Sequence, residues 1–264
     1  MAEVIVITSG KGGVGKTTTT ANLGVGLSSL GRKVLVIDTD IGLRNLDVVL
    51  GQENRIVYDL VDVIKGECEP QKAVIRDKRF EGLFMIPAAQ TTDKDAIKPD
   101  QMRQLCDKLK DDYDFILIDC PAGIEQGFKN AVAAADKALI VTTPDISAVR
   151  DADRIVGLLE TEGITEHYII INKIRPELVK RKEMLSVEDV IGILSIDLIG
   201  IIPDDNSVLV SANKGEPVVT ISKSLAGQGY RNISERLCGK NVLLMELDKK
   251  GLFGRRKKLF GKNR

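Results

Sequence analysis

Apolar residues along this chain fall into short unbroken runs separated by longer stretches of mixed character. The runs lie at 3–8, 34–38, 83–87, 115–119, 138–142, 168–172 and 198–202. Each is short and dominated by Val, Ile and Leu, as expected of strands buried on both faces. Helical patterns fill intervals at 17–30, 99–110, 147–162 and 222–238, the first of them stopped by Gly31. Strand and helix in alternation predict an α/β fold, a mostly parallel β-sheet flanked by helices on both faces. Ligands of such sheets sit beyond the carboxyl ends of the strands, so the residues that follow each run are the first place to look for chemistry. The longest apolar stretch, Val190–Ile202, is interrupted by Asp197 and is too short to cross a bilayer.

The first run leads into Gly10-Lys-Gly-Gly-Val-Gly-Lys-Thr17. Gly10, Gly15, Lys16 and Thr17 have the spacing of a phosphate-binding loop. Gly12, Gly13 and Val14 lie inside it and Thr18 follows it. A strand that feeds a helix through glycines aims backbone N–H groups at one point, at the positive end of the helix dipole. Such a site takes the phosphates of a nucleotide, with Lys16 against the β- and γ-phosphates and the Thr17 hydroxyl on Mg²⁺. Lys11 is a second lysine that this spacing does not require.

Two further runs end in a carboxylate. Val34–Ile37 leads to Asp38, then Thr39 and Asp40, and Phe115–Ile118 leads to Asp119 and Cys120-Pro-Ala-Gly123. An Asp that ends an apolar strand beside a phosphate-loop strand holds the water shell of Mg²⁺. Either one alone also reads as a helix N-cap. Gly123 lets a backbone N–H approach the γ-phosphate.

Composition adds compartment and a partner surface. Cys68, Cys106, Cys120 and Cys238 have no C-x-x-C spacing, which argues against a zinc knuckle or an Fe–S cluster and fits a reducing cytoplasm. No basic n-region precedes the first strand, so no signal peptide is expected. His167, the only histidine, precedes an apolar run and reads as structural. The formal net charge of zero is unevenly spread. Eight Lys or Arg and no acid lie between Lys249 and Arg264, which leaves residues 1–248 with 30 basic against 38 acidic groups. The expected organisation is a nucleotide-binding domain over 1–248 and a basic tail over 249–264. At about 100° per residue, Leu252, Phe253, Leu259 and Phe260 share an arc of roughly 120°, with Arg256 in its middle. A short apolar stripe framed by basic residues describes a C-terminal amphipathic helix on an anionic membrane. A helix packed on the core, or a basic tail that binds nucleic acid, are the alternatives at this point.

The segments K-G-G-V-G-K-T-T from Lys11, D-x-D-x-G-L-R-N-L-D from Asp38 to Asp47, and D-C-P-A-G from Asp119 to Gly123 resemble the deviant Walker-A (MinD/ParA) P-loop ATPases. The likeness to the septum-site-determining members extends from the first strand to the basic tail. Its most specific pieces are Ile41–Asp47, Ala148–Ile155, Ile202–Val208 and the tail itself.

The resemblance implies a P-loop NTPase fold, hydrolysis of ATP with Mg²⁺, and a homodimer in the ATP state. Lys11 would then reach the phosphates of a second copy, while Lys16 and Thr17 serve their own subunit. Asp40 would orient the attacking water, Asp38 and Asp119 would act around the metal, and Asn45 would lie in the first switch. Asn172, Pro203 and Asp204 match adenine-contacting positions. A MinC-like division inhibitor, a MinE-like regulator or polar scaffold, and anionic lipids are the implied partners. The expected location is the cytoplasm and, peripherally, the cytoplasmic face of the cell membrane. A ParA-like DNA-partitioning ATPase is the alternative from another class, but the acidic body makes nucleic acid an unexpected partner. A flagellar-number relative is a further alternative. Its members carry an extra segment before the first strand, where this chain has two residues.

Overall fold

The computed structural model describes residues 1–90 and 96–247. The strands are β1 (Glu3–Thr8), β2 (Val34–Asp38), β3 (Ile75–Arg76), β4 (Leu83–Ile86), β5 (Phe115–Asp119), β6 (Lys137–Thr142), β7 (His167–Ile174) and β8 (Asp197–Pro203). They form one sheet in the order β3-β4-β2-β5-β1-β6-β7-β8. Every neighbouring pair is parallel except β3 with β4. All seven expected runs became strands. The two-residue β3 escaped the pattern because so short an edge strand has no periodicity to show.

Between the strands lie α1 (Lys16–Ser28), α2 (Leu46–Val49), α3 (Leu60–Lys65), α4 (Pro70–Ala73), α5 (Pro99–Leu109) and α6 (Gln126–Val132). Then follow α7 (Ile146–Thr161), α8 (Pro176–Lys180), α9 (Val187–Leu194), α10 (Asn206–Ala212) and α11 (Leu225–Leu237). Side chains alternate across the sheet, so β1 sends Val4 and Val6 into one core and Ile5 and Ile7 into the other. The first core receives α5, α6, α7 and α9, and the second receives α1 and α11. Helices on both faces leave the central strands no exposed side, which is why they read as unbroken apolar runs.

The apolar stretch Val190–Ile202 serves two elements. Ser195, left-handed at φ 53°, ends α9, and the chain turns into β8. At this edge of the sheet Arg236 donates to the carbonyls of Ile199 (2.7 Å), Val242 (3.0 Å) and Leu243 (2.7 Å). Leu237 and Cys238 pack on one core and Leu247 on the other, so residues 241–247 cross the rim beside β8. Among the described residues no helix is long and apolar enough to cross a membrane.

Candidate active site

Residues 10–17 join the central strand β1 to the N-terminus of α1. Gly13 and Gly15 have φ of 77° and 102°, a conformation that costs glycine little and other residues more. The loop is also wedged between neighbours. A Cβ on Gly10 would lie 2.4 Å from the Asp151 carbonyl of α7, and one on Gly15 would lie 2.4 Å from Asn172 Nδ2. Asn172 is buried, donates to the Val14 carbonyl (2.7 Å) and accepts from the Lys173 N–H (2.9 Å). Lys173 Nζ reaches the Gly13 carbonyl at 2.8 Å. The irregular end of β7 therefore braces the loop from outside. Asn172 lies inside β7, which runs two residues past its expected end, and not at the end of the strand.

The two loop lysines have opposite environments. Lys16 is only 8% exposed, and its ammonium donates to Ser9 Oγ at 3.0 Å. Lys11 has a side chain 48% exposed and lies on the rim, where it donates to Ser147 Oγ (2.8 Å), 3.9 Å from Asp145 Oδ1. Asp145 caps α7 through the Ala148 N–H at 3.0 Å. Burial would raise its pKa, but hydrogen bonds from Thr143, Ala148 and Ser147, with the Lys11 charge, outweigh that and hold it below the usual carboxylate range.

Asp38 and Asp119 are cross-strand neighbours at the ends of β2 and β5. Asp38 accepts the N–H groups of Asp40 (2.9 Å) and Leu46 (3.2 Å). Asp119 accepts the Thr20 hydroxyl at 3.1 Å. Burial, then the Asp119 charge, raises the Asp38 carboxyl well above its ordinary value. Burial pushes Asp119 up to about 6 despite the Thr17 and Thr20 hydroxyls and the Lys16 charge. Two buried carboxylates beside one lysine make a site short of positive charge, and their donors are all hard oxygens. That suits Mg²⁺, which keeps much of its water and phosphate coordination and needs no protein cage. Among the described residues no group of three or more His, Cys, Asp or Glu has the arrangement of a metal site.

The remaining expected residues surround this centre. Asp40 lines a cavity of about 180 Å³ with Ile41, Ile97, Met102 and Phe128. Asn45, exposed, stands at the N-cap of α2 without a side-chain capping bond. Gly123, at φ 96°, has open space where a Cβ would point. Its neighbour Ala122 lies 3.9 Å from the place of a Gly12 Cβ, which brings that turn against the phosphate loop. Thr17 and Thr18 are half-buried in the first turn of α1. Pro203 ends β8, and Asp204 donates its N–H to the Ile174 carbonyl (3.0 Å) while pairing with Arg175. Asp204 borders a second cavity of about 500 Å³ with Asp205, Ser207, Lys223 and Ser224. Asp205 is held down to about 2, its burial outweighed by hydrogen bonds from Ser207, Ser224 and Ala226.

The expected membrane residues Leu252, Phe253, Arg256, Leu259 and Phe260 lie outside the described residues. Ser9, Thr20, Asp145, Ser147 and Lys173 were not read from the sequence. Thr20, one turn after Lys16, was open to helical spacing, whereas Ser147 and Lys173 reach the loop only through the tertiary fold.

Comparison with known proteins bears on this geometry. The family described as "AAA domain" matches residues 2–167. The septum site-determining protein MinD of Bacillus subtilis (strain 168) is 54% identical over 265 residues, covering 99% of this chain and 99% of that protein. A MinC:MinD cell division protein complex from Aquifex aeolicus is 49% identical with a TM-score of 0.87, covering 93% of this chain and 99% of that one. The septum site-determining protein of Pyrococcus horikoshii, solved with Mg-ADP, is 32% identical with a TM-score of 0.82, covering 90% and 96%.

Proposed function

This chain belongs to the septum site-determining MinD family, and from that premise we propose that it is a Mg²⁺-dependent ATPase that dimerises on ATP, attaches to the membrane and recruits a MinC-like inhibitor to place the division septum. The contrast between Lys11 and Lys16 carries the reading. One lysine is buried in its own cradle, and the other stands at the rim where a second copy can meet it.

The loop N–H groups and Lys16 hold the phosphates, and Thr17, Asp38 and Asp119 hold the cation with its waters. A Mg²⁺ held by these residues would supply positive charge against the phosphates. Asp40 orients the attacking water, and Gly123 leaves room for a backbone N–H at the γ-phosphate. Lys11 from the second copy places positive charge where the departing phosphoryl group develops its own negative charge. Asn172, Pro203 and Asp204 frame the adenine, and Asn45 moves with the first switch. Hydrolysis removes the group that joins the two copies, so the dimer falls apart.

The tail over 249–264 turns this into attachment. Burying a large apolar side chain contributes about 1.5–3 kcal/mol, and each basic group near an anionic leaflet about 1 kcal/mol. Ordering a short helix removes much of that. One tail binds weakly, and two tails on one dimer gain roughly 10²–10⁴-fold from effective concentration. A MinE-like protein or a polar scaffold is the regulator that fits this cycle.

The test is co-sedimentation with anionic liposomes in ATP and in ADP, for the full chain and for one truncated after Asp248. Binding that needs both ATP and the tail is the expected result. Binding indifferent to nucleotide would break the link between ATP and the membrane, and salt-sensitive retention on DNA would favour a partitioning role instead.

A further inference from the structure

Away from the phosphate loop, an ionic cluster built on the buried Asp77 joins the two segments assigned above to opposite ends of the nucleotide. Asp77 follows β3, and its side chain is only 3% exposed. It accepts from Gln52 Nε2 (2.6 Å), from the Arg79 backbone (2.7 Å) and from the Arg79 guanidinium (2.9 Å). Held in this way, the guanidinium has two other targets. It donates to the Leu50 carbonyl at the end of α2 and to the Gly215 carbonyl (2.8 Å) in the turn that ends α10. Arg55 adds an outer layer, donating to Gln52 Oε1 and the Arg76 carbonyl, each at 2.7 Å.

The two turns meet back to back. Gly51 and Gly215 are both left-handed, at φ 61° and 64°. A Cβ on Gly215 would lie 2.6 Å from Gly51 Cα. Only Arg79 donates a side-chain hydrogen bond to both sides of this junction among the described residues. Each helix carries the constraint to the opposite end of the ligand. One turn up α2 from Leu50, the Leu46 N–H holds Asp38 at 3.2 Å. At the other end of α10, Asp205 caps the helix beside Pro203 and Asp204.

We propose that Arg79 is a positioning residue for hydrolysis, a clamp that fixes the metal-side segment α2 against the nucleoside-side segment α10. The inference rests on the ATPase reading and adds to it a residue remote from the phosphates. A planar guanidinium suits the role because its fork donates to several acceptors at fixed angles, whereas a lysine ammonium is a single flexible point. ADP lacks the γ-phosphate that engages the switches, so its binding depends less than hydrolysis does on how the two segments are aligned.

The experiment compares wild type with the charge-balanced pair Arg79→Met and Asp77→Asn, in which the new amide keeps an acceptor for Gln52. The readouts are ADP affinity by a fluorescent analogue, melting temperature, and ATP turnover at saturation on anionic vesicles. Turnover is expected to fall about tenfold or more, in line with the cost of small misplacements of reacting groups, while ADP affinity stays within about twofold. Arg79→Lys should recover part of the loss. Gly215→Ala, which drives a wedge between the turns, should reproduce it with Arg79 intact. Unchanged turnover in a folded double variant overturns the proposal. So does a parallel fall of ADP affinity, melting temperature and turnover, which would mark a merely structural clamp. A wild-type chain that turns over no ATP fails the functional reading itself, and the inference with it.

Discussion

Asp38 and Asp119 show what the site costs the protein that carries it. Each sits at the end of a fully buried strand, facing the other across the sheet. The Asp119 carboxyl, pushed up to about 6 chiefly by burial, titrates above its unfolded value of 3.8. A carboxyl raised on folding binds its proton more tightly in the native state, so native stability falls as pH rises through this range. The penalty is absent below about pH 4 and complete above about pH 6. Replacing Asp119 with Asn removes it, and we expect the nucleotide-free protein to gain on the order of 1–3 kcal/mol at pH 7.5 while Mg²⁺-dependent turnover is lost. Urea melts at pH 4.5 and 7.5 test this, the gain being clearly larger at the higher pH. At this scale the sequence showed which residues ended strands, and it placed both carboxylates correctly. It could not show their pairing or their burial, because those depend on β2 lying beside β5.

Elements were legible in proportion to their length. The buried strands and the helices α1, α5, α7 and α11 have enough residues for a period to emerge, and each lies close to its expected span. Short helices such as α3 and α9 were missed, although Asp59 with Asp62 and Ser186 with Asp189 form capping boxes that mark their starts. Nor did periodicity reveal residues 241–247, which lie in no regular element and follow the edge of β8 through the Arg236 guanidinium. Arg236→Met removes three hydrogen bonds from a partly buried charge to backbone carbonyls. The expected cost is roughly 1–3 kcal/mol, read by urea denaturation, with faster proteolysis between Lys240 and Leu247 as the local signature. Unchanged cleavage there would mean that apolar packing, Leu247 included, suffices to hold the segment.

For the whole molecule the quantity to measure is the proposed coupling between two copies. Lys11 rests on Ser147 and beside Asp145 in its own chain, outside the cradle that Lys16 fills. Lys11→Ala is expected to abolish ATP-dependent dimerisation and turnover while leaving nucleotide binding by the monomer measurable, checked by light scattering and a fluorescent nucleotide. An ATP-dependent dimer that persists in this variant would rule the role out. Charge is partitioned on the same scale, with an acidic body and a basic end, and that was visible from counting alone. By itself the sequence determined the alternation of strand and helix, the glycine pattern of the phosphate loop and the family likeness. These are local properties, set by side-chain volume, backbone freedom and spacing along the chain. The tertiary structure alone decided which lysine is buried, which carboxylates repel one another and how Arg79 joins two distant turns. Burial and pairing are relations between segments far apart in the chain, and they come into being only when the sheet brings those segments together.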